Sequence, residues 1–237
     1  MPRPHDPNRT QRMNYEVLIV DDHPLYRLAL NGAVAAACMN VKIFEADSVG
    51  ALFDALDQHP RVDLLLLDLN LPGANGFNAL AHLRGSRPEL PIIVVSASDD
   101  ARTIRRALAF GAQSFVSKSA DAATIGDSVQ AVLRGEVVTP AGLGPEGESG
   151  ADDGALQIAQ RIAHLTPQQF RVLGMLCVGR LNKQIGEDLQ ITEATVKAHV
   201  TVILRKLGAM NRTQAVLLAG RLAREPSEIK PLPEGVE

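Results

Sequence analysis

With 237 residues the chain is long enough for two modest domains, and 46% hydrophobic against 22% charged residues excludes both an intrinsically disordered chain and a membrane-embedded one. The formal net charge of −3 hides an asymmetry: from Arg161 to Glu225 ten Lys/Arg face four Asp/Glu, a local +6 that leaves −9 for the remainder, so nucleic acid is a partner for one end only. Cys38 and Cys177 lie far apart in apolar helical stretches, which reads as buried thiols in a reducing compartment rather than a disulfide or a metal site.

Residues 1–13, MPRPHDPNRTQRM, are polar and Pro-rich without the basic-then-apolar order of a signal peptide, and no run is apolar for long enough to cross a bilayer. The expectation is a disordered N-terminal extension on a cytoplasmic protein with no membrane partner. From Tyr15 onward, strand-like runs alternate with helical patterns: YEVLIV, a helix over about 25–39, VKIFEA, a helix over 49–58, and DLLLLD. A helix over about 76–85, PIIVVS, a helix over about 100–110, QSFVS and a helix over about 121–134 complete the series. Five strands and five helices in alternation imply a parallel sheet covered on both faces, and right-handed crossovers leave a doubly wound, flavodoxin-like α/β order.

The stretch VDLLLLDLNLPG at 62–73 shows what the sheet is for. Four leucines bounded by Pro60 and the Pro72-Gly73 turn form a strand buried on both faces, and Asp68 ends it at the edge where open α/β sheets bind their ligands. The first strand ends in Asp21-Asp22, the fourth in Ser96 and the fifth in Ser117-Lys118, so three carboxylates, a hydroxyl and an ammonium converge at the switch point. Taken singly, Asp21 or Asp22 reads as a helix cap, Phe115 as core and Lys118 as a solvated charge. Clustered carboxylates stay ionised together only beside a cation, and oxygen-only ligands with several waters favour Mg2+. Asp22 and Asp68 would hold the metal, Asp21 would act directly or through water, and the Asn70 carbonyl would add a ligand. That arrangement suits phosphoryl transfer, with Asp68 as nucleophile and with Lys118 and Ser96 on phosphoryl oxygens. His23, before Pro24, reads as a helix-start residue.

VDDHP at 20–24, LLLDLNLPG at 65–73, VVSAS at 94–98 and GAQSFVSK at 111–118, in that order and at fitting intervals, resemble the receiver domain of two-component response regulators. The resemblance implies that Asp68 accepts a phosphoryl group from a sensor histidine kinase with Mg2+ required. It also implies a switch in which the Ser96 hydroxyl moves towards the phosphoryl group while the Phe115 ring turns inward.

TPAGLGPEGESGADDG at 139–154 has no apolar period and reads as a flexible linker. Beyond it, Thr166-Pro167-Gln168-Gln169 is a helix start with a capping box, Asn182 caps a second helix, Thr192 a third that Gly208 ends, and Asn211 with Gln214 starts a fourth. This predicts a small all-α, four-helix helix-turn-helix domain. In the third helix Val196, Val200, Ile203 and Leu207 form the buried stripe. The opposite face, around Ala194, Ala198, Thr201, Val202 and Arg205 with Thr195 and Lys197 beside it, carries small side chains fringed by cations, as entry into a major groove requires.

LTPQQFRVL, NKQIGEDLQITEATVKAHV and KLGAMNRTQAV closely resemble the C-terminal domain of LuxR-type (NarL/FixJ) transcription regulators over 164–222. Gly186 stands where that family usually has alanine, a mild weakening of the helix. The expected division is an extension at 1–13, a receiver at 14–138, a linker at 139–157, a LuxR-type helix-turn-helix domain at 158–225 and a tail at 226–237. Thr195, Lys197, Ala198 and Thr201 are expected near base edges of promoter DNA, and Asn182, Lys183, Arg205, Lys206 and Arg212 near phosphates. Val216 and Leu217 are candidate contacts in a homodimer formed on phosphorylation, with the resting receiver covering the reading helix or the dimer surface. The expected function is thus a DNA-binding response regulator and not a turnover enzyme: an aspartyl-phosphate phosphatase needs a second carboxylate at position 70, which is Asn. The alternative is a receiver used as a phosphorylation-independent interaction module.

Overall fold

Buried runs and amphipathic stretches alternate along the first half of the chain, and each run becomes a strand. The computed structural model describes residues 14–71, 76–140, 143 and 153–223. The expected extension at 1–13, the Pro72-Gly73 turn and the tail at 226–237 lie outside the described residues, as does most of the expected linker. The order is β1 (Tyr15–Val20), α1 (Pro24–Ala37), β2 (Val41–Ala46), α2 (Val49–Gln58), β3 (Leu64–Asp68), α3 (Asn78–Ser86), β4 (Ile92–Ser96), α4 (Ala101–Ala109), β5 (Ser114–Ser117) and α5 (Ala122–Leu133). All four strand pairings are parallel, in the order β2-β1-β3-β4-β5.

The period of two sorts the strand residues between the two faces. Leu18, Val20, Leu65, Leu67, Ile92 and Val94 belong to one apolar cluster with residues of α2, α3 and α4. Val17, Ile19, Leu64, Leu66, Ile93 and Val95 belong to a second with residues of α1 and α5. The four leucines of β3 are at most 1% exposed; each contributes about 1.5–3 kcal/mol relative to an exposed position. A strand fixed this firmly is a rigid mount for Asp68.

The second half contains α6 (Asp153–Ala163), α7 (Pro167–Cys177), α8 (Asn182–Asp188), α9 (Glu193–Leu207) and α10 (Arg212–Ala223). This is one helix more than the four expected, and α6 begins inside the stretch expected to be linker. Its buried residues Ala155, Ile158, Ala159 and Ile162 follow helical spacing and pack into the same cluster as the sheet. The capping box at Thr166 and Gln169 forms as expected. The cap of α8 is displaced by one residue: Leu181 is the N-cap, its N–H satisfied by the Gln184 side chain, and Asn182 is the first helical residue.

The two halves are packed together. α3 lies against α6 so closely that a Cβ at Gly85 would come within 2.2 Å of the Ala163 carbonyl oxygen. His82 of α3 is fully buried and stacks on Phe170 of α7 at 4.5 Å, with Phe53 of α2 edge-on to both rings. Arg171 reaches back to Asp54 and to the Gly50 carbonyl. At the end of α10, Phe77 N–H donates to the Leu222 carbonyl (3.3 Å), Asn78 Nδ2 to Ala219 (3.1 Å) and Arg106 Nη2 to Arg221 (3.3 Å). The receiver half thereby donates to three backbone carbonyls in the last described turns of α10.

Candidate functional site

Because β1, β3, β4 and β5 are neighbours, their C-terminal ends bring Asp21, Asp68, Ser96 and Lys118 to one edge of the sheet. Asp21 is fully buried and Asp68 is 1% exposed, so both need partners. Lys118 Nζ supplies one to each, 2.5 Å from Asp21 Oδ2 and 2.9 Å from Asp68 Oδ2. The backbone N–H of Asn70 donates to Asp68 Oδ1 (3.1 Å), and that of His23 to Asp21 Oδ1 (2.8 Å). Burial raises the Asp68 carboxyl above the ordinary range, against the pull of the Asn70 N–H and Lys118. Burial works to lower the Lys118 ammonium, but its hydrogen bonds to Asp21 and Asp68 outweigh that and leave it above its usual value.

Asp21, Asp22, His23 and Asp68 each offer a ligand atom within 4.8 Å of the others, a set dominated by carboxylate oxygen that fits a hard divalent cation. The expected ligands Asp21, Asp22 and Asp68 lie together, and His23 stands beside them. Pro24 does begin α1, but the His23 ring turns back over the carboxylates, with Nδ1 2.7 Å from Asp22 Oδ1. Asn70 takes part through its N–H to Asp68.

Ser96 is buried, and its hydroxyl accepts the Ser98 N–H at 3.2 Å. Phe115, next to Ser114 on β5, is buried at 4% exposed. An open cavity of about 580 Å³, lined by His23, Leu25, Tyr26, Asn70, Ala97 and Lys118, leads to the cluster. Sequence reasoning passed over Tyr26, whose ring lies over Lys118, and Arg27, whose guanidinium donates to the Asp21 carbonyl at 2.7 Å. Their place in the first turn of α1, just after the Asp21-Asp22 pair, was the available signal.

At the other end of the chain, α9 presents its outer face to solvent. Thr192 caps it, and Gly208 ends it at φ 68°. Val196, Ile203 and Leu207 are buried and Val200 is half-buried, while Ala194, Thr195, Lys197, Ala198, Thr201 and Arg205 are exposed. Among the described residues the receiver half does not cover this helix, so of the two resting arrangements expected, covering of the reading helix is not the one observed there. Lys197 pairs with Glu193 one turn earlier, and the Thr201 hydroxyl is turned onto the Lys197 carbonyl.

Two residues expected near phosphates are instead engaged inside the domain. Lys206 Nζ donates to the His164 carbonyl and Gln169 Oε1, both at 2.8 Å, and Arg212 Nη2 donates to the Arg180 carbonyl at 2.5 Å. Both reach backbone carbonyls of the segments flanking α7, and Lys206 also reaches the capping side chain of Gln169. Lys183 is exposed and Asn182 half-buried. Gly186 has a packing reason: a Cβ there would lie 2.8 Å from the Ile191 carbonyl. Val216 of α10 is half-buried against the core, whereas Leu217 is 59% exposed.

An acidic cluster with a lysine at the edge of a parallel sheet, followed by a helix-turn-helix with an open basic face, defines a DNA-binding response regulator. The chain belongs to that family: residues 17–130 match the response regulator receiver domain, and residues 163–219 match bacterial regulatory proteins of the luxR family. It is a transcriptional regulator of the NarL/FixJ type. It is similar to the glycerol metabolism activator of Pseudomonas putida, 36% identical over 87% of this chain and 95% of that protein. It is also similar to the transcriptional regulatory protein LiaR of Bacillus subtilis, 31% identical over 86% of this chain and 96% of that one. In fold it resembles the response regulator RcsB in an RcsB–DNA complex, at 22% identity and a TM-score of 0.51, covering 89% of this chain and all of that one. Among the described residues no helix is long and apolar enough to cross a membrane.

Proposed function

We propose that Asp68 accepts a phosphoryl group from a sensor histidine kinase and that the modification controls promoter binding by α9. The observation that carries the proposal is Lys118 bridging the buried carboxylates of Asp21 and Asp68. The Asp68 oxygen is made more basic by burial and attacks phosphorus in line as the P–N bond to the kinase histidine breaks and its imidazole leaves, and Lys118 shifts from carboxylate to phosphoryl oxygen. Asp21, Asp22 and Asp68 would hold Mg2+, which would supply charge neutralisation for the phosphoryl oxygens. The chemistry is confined to gain and loss of this one group, so the protein is a switch and not a turnover enzyme.

Phosphorylation shifts a two-state balance away from the closed arrangement, in which the receiver holds the C-terminal end of α10. Released, α10 offers Leu217 and Val216 to a second copy, and the homodimer places two α9 helices on DNA. Thr195, Lys197, Ala198 and Thr201 meet base edges, while Asn182, Lys183 and Arg205 meet phosphates. In this reading the receiver spans 14–138 and the helix-turn-helix domain takes in α6 from Asp153.

The open outer face of α9 favours a second reading, in which DNA binding is independent of phosphate and the receiver serves as an interaction module. Fluorescence anisotropy separates the two, using duplexes selected from sheared genomic DNA, with and without acetyl phosphate and Mg2+. The switch predicts tighter binding by the phosphorylated wild type alone; equal binding by the untreated protein and by Asp68→Asn supports the module.

A further inference from the structure

Lys118 does its work between two buried carboxylates, and a third group touches it. Tyr26, on the first turn of α1, lays its ring over the ammonium, with Nζ 4.9 Å from the ring centroid. A lysine is a point charge on a flexible four-carbon stem, and two carboxylates on one side do not by themselves fix its direction of approach. The negative face of an aromatic ring supplies attraction from the remaining side.

We infer that Tyr26 is a positioning residue for phosphoryl transfer: its ring holds the Lys118 ammonium in the pocket so that it meets the incoming phosphoryl oxygen. The inference rests on the assignment of Asp68 as phosphoacceptor. No polar contact explains why the ring stands there, because the Tyr26 hydroxyl is buried without a hydrogen-bond partner among the described residues. Packing against the apolar cluster beneath α1 accounts for only part of the ring, since Tyr26 also lines the cavity with His23, Asn70, Ala97 and Lys118. Burial raises the phenol above its ordinary pKa, which keeps the ring neutral in a site that already holds three carboxylates.

Lys118 bridges Asp21 and Asp68 before transfer and must pivot onto a phosphoryl oxygen during it. A ring contact is non-directional enough to follow that pivot, whereas another carboxylate would compete with the phosphoryl group for the ammonium. An aromatic side chain therefore suits this position better than a charged one.

The test is the rate of phosphoryl gain from acetyl phosphate with saturating Mg2+, read by intact mass, for wild type, Tyr26→Leu, Tyr26→Phe, Lys118→Ala and the Tyr26→Leu/Lys118→Ala double variant. Tyr26→Leu is expected to slow the gain by about three- to tenfold, the range of one partly desolvated cation–π contact. Tyr26→Phe, which keeps the ring and loses only the unpartnered hydroxyl, restores the rate. In the Lys118→Ala background, Tyr26→Leu has no further effect, an outcome that a merely structural role would not produce. Equal slowing by Leu in both backgrounds, or failure of Phe to restore the rate, overturns the inference. If wild type gains no phosphoryl group, the phosphoacceptor assignment falls and this inference with it, whereas rapid gain by wild type and Tyr26→Leu alike defeats the inference alone.

Discussion

Acidification should loosen the junction between the two halves, and His82 is the reason. Its ring is fully buried between Phe170 and Phe53, Nδ1 lies 3.4 Å from the Ile162 carbonyl oxygen, and Nε2 is buried with no hydrogen-bond partner among the described residues. Burial lowers its pKa from the ordinary 6.5 to about 4, and the Lys206 ammonium pushes the same way. The imidazole is therefore neutral in the closed state and becomes an ordinary base once the halves separate. A group depressed in the closed state stabilises it above the open-state pKa and withdraws that support as pH falls from 6.5 towards 4.

Between about pH 7 and about pH 5.5 the opening equilibrium should rise about eightfold, about 1.2 kcal/mol, by linkage between these two values. The assay is native-state hydrogen exchange at the Phe77 amide, whose bond to the Leu222 carbonyl breaks only when the halves part. After correction for intrinsic exchange rates, protection should fall by that factor in wild type and stay flat in His82→Phe, which keeps the stack on Phe170 and cannot titrate. Equal pH responses in the two proteins would refute the reasoning.

Gly85→Ala forces a Cβ onto the Ala163 carbonyl and should weaken the packing of α3 on α6 by about 1–3 kcal/mol, seen as lost protection across α6 with the sheet intact. Lys206→Met removes donors to His164 and Gln169; it should lower the stability of the helix-turn-helix half by about 1–3 kcal/mol in denaturant titration, where loss of DNA affinity at unchanged stability would contradict the internal role assigned to it. On DNA, Arg205→Ala should reduce the slope of log affinity against log salt by about 1 for all sequences, while Lys197→Ala should also relax base preference at one position.

The sheet was legible because its signals are local. Alternating burial, the Pro and Gly punctuation, and carboxylates at the ends of apolar runs all lie within a few residues of one another. The site followed because a parallel order of this kind leaves its strand ends no other place to converge, so Asp21, Asp68 and Lys118 could be joined before any distance was known. What escaped was whatever depends on two remote segments meeting. α6 has a clear apolar spacing at Ala155, Ile158, Ala159 and Ile162, but it opens in a stretch whose Gly, Pro and acid content reads as linker. Lys206 and Arg212 look like surface cations in sequence, and only the fold shows the carbonyls that engage them. His82 and Gly85 carry no sequence signal of an interface, because the partner surface is some eighty residues away and belongs to the other half.

The central claim is that one phosphoryl group, carried on Asp68, drives the switch. Intact mass of wild type and Asp68→Asn after incubation with acetyl phosphate and Mg2+, with oligomer size recorded on the same samples, tests it most directly. The account predicts a single phosphoryl gain and a monomer-to-dimer shift in wild type and neither change in Asp68→Asn. A gain in both proteins, or in neither while both remain folded, would contradict it.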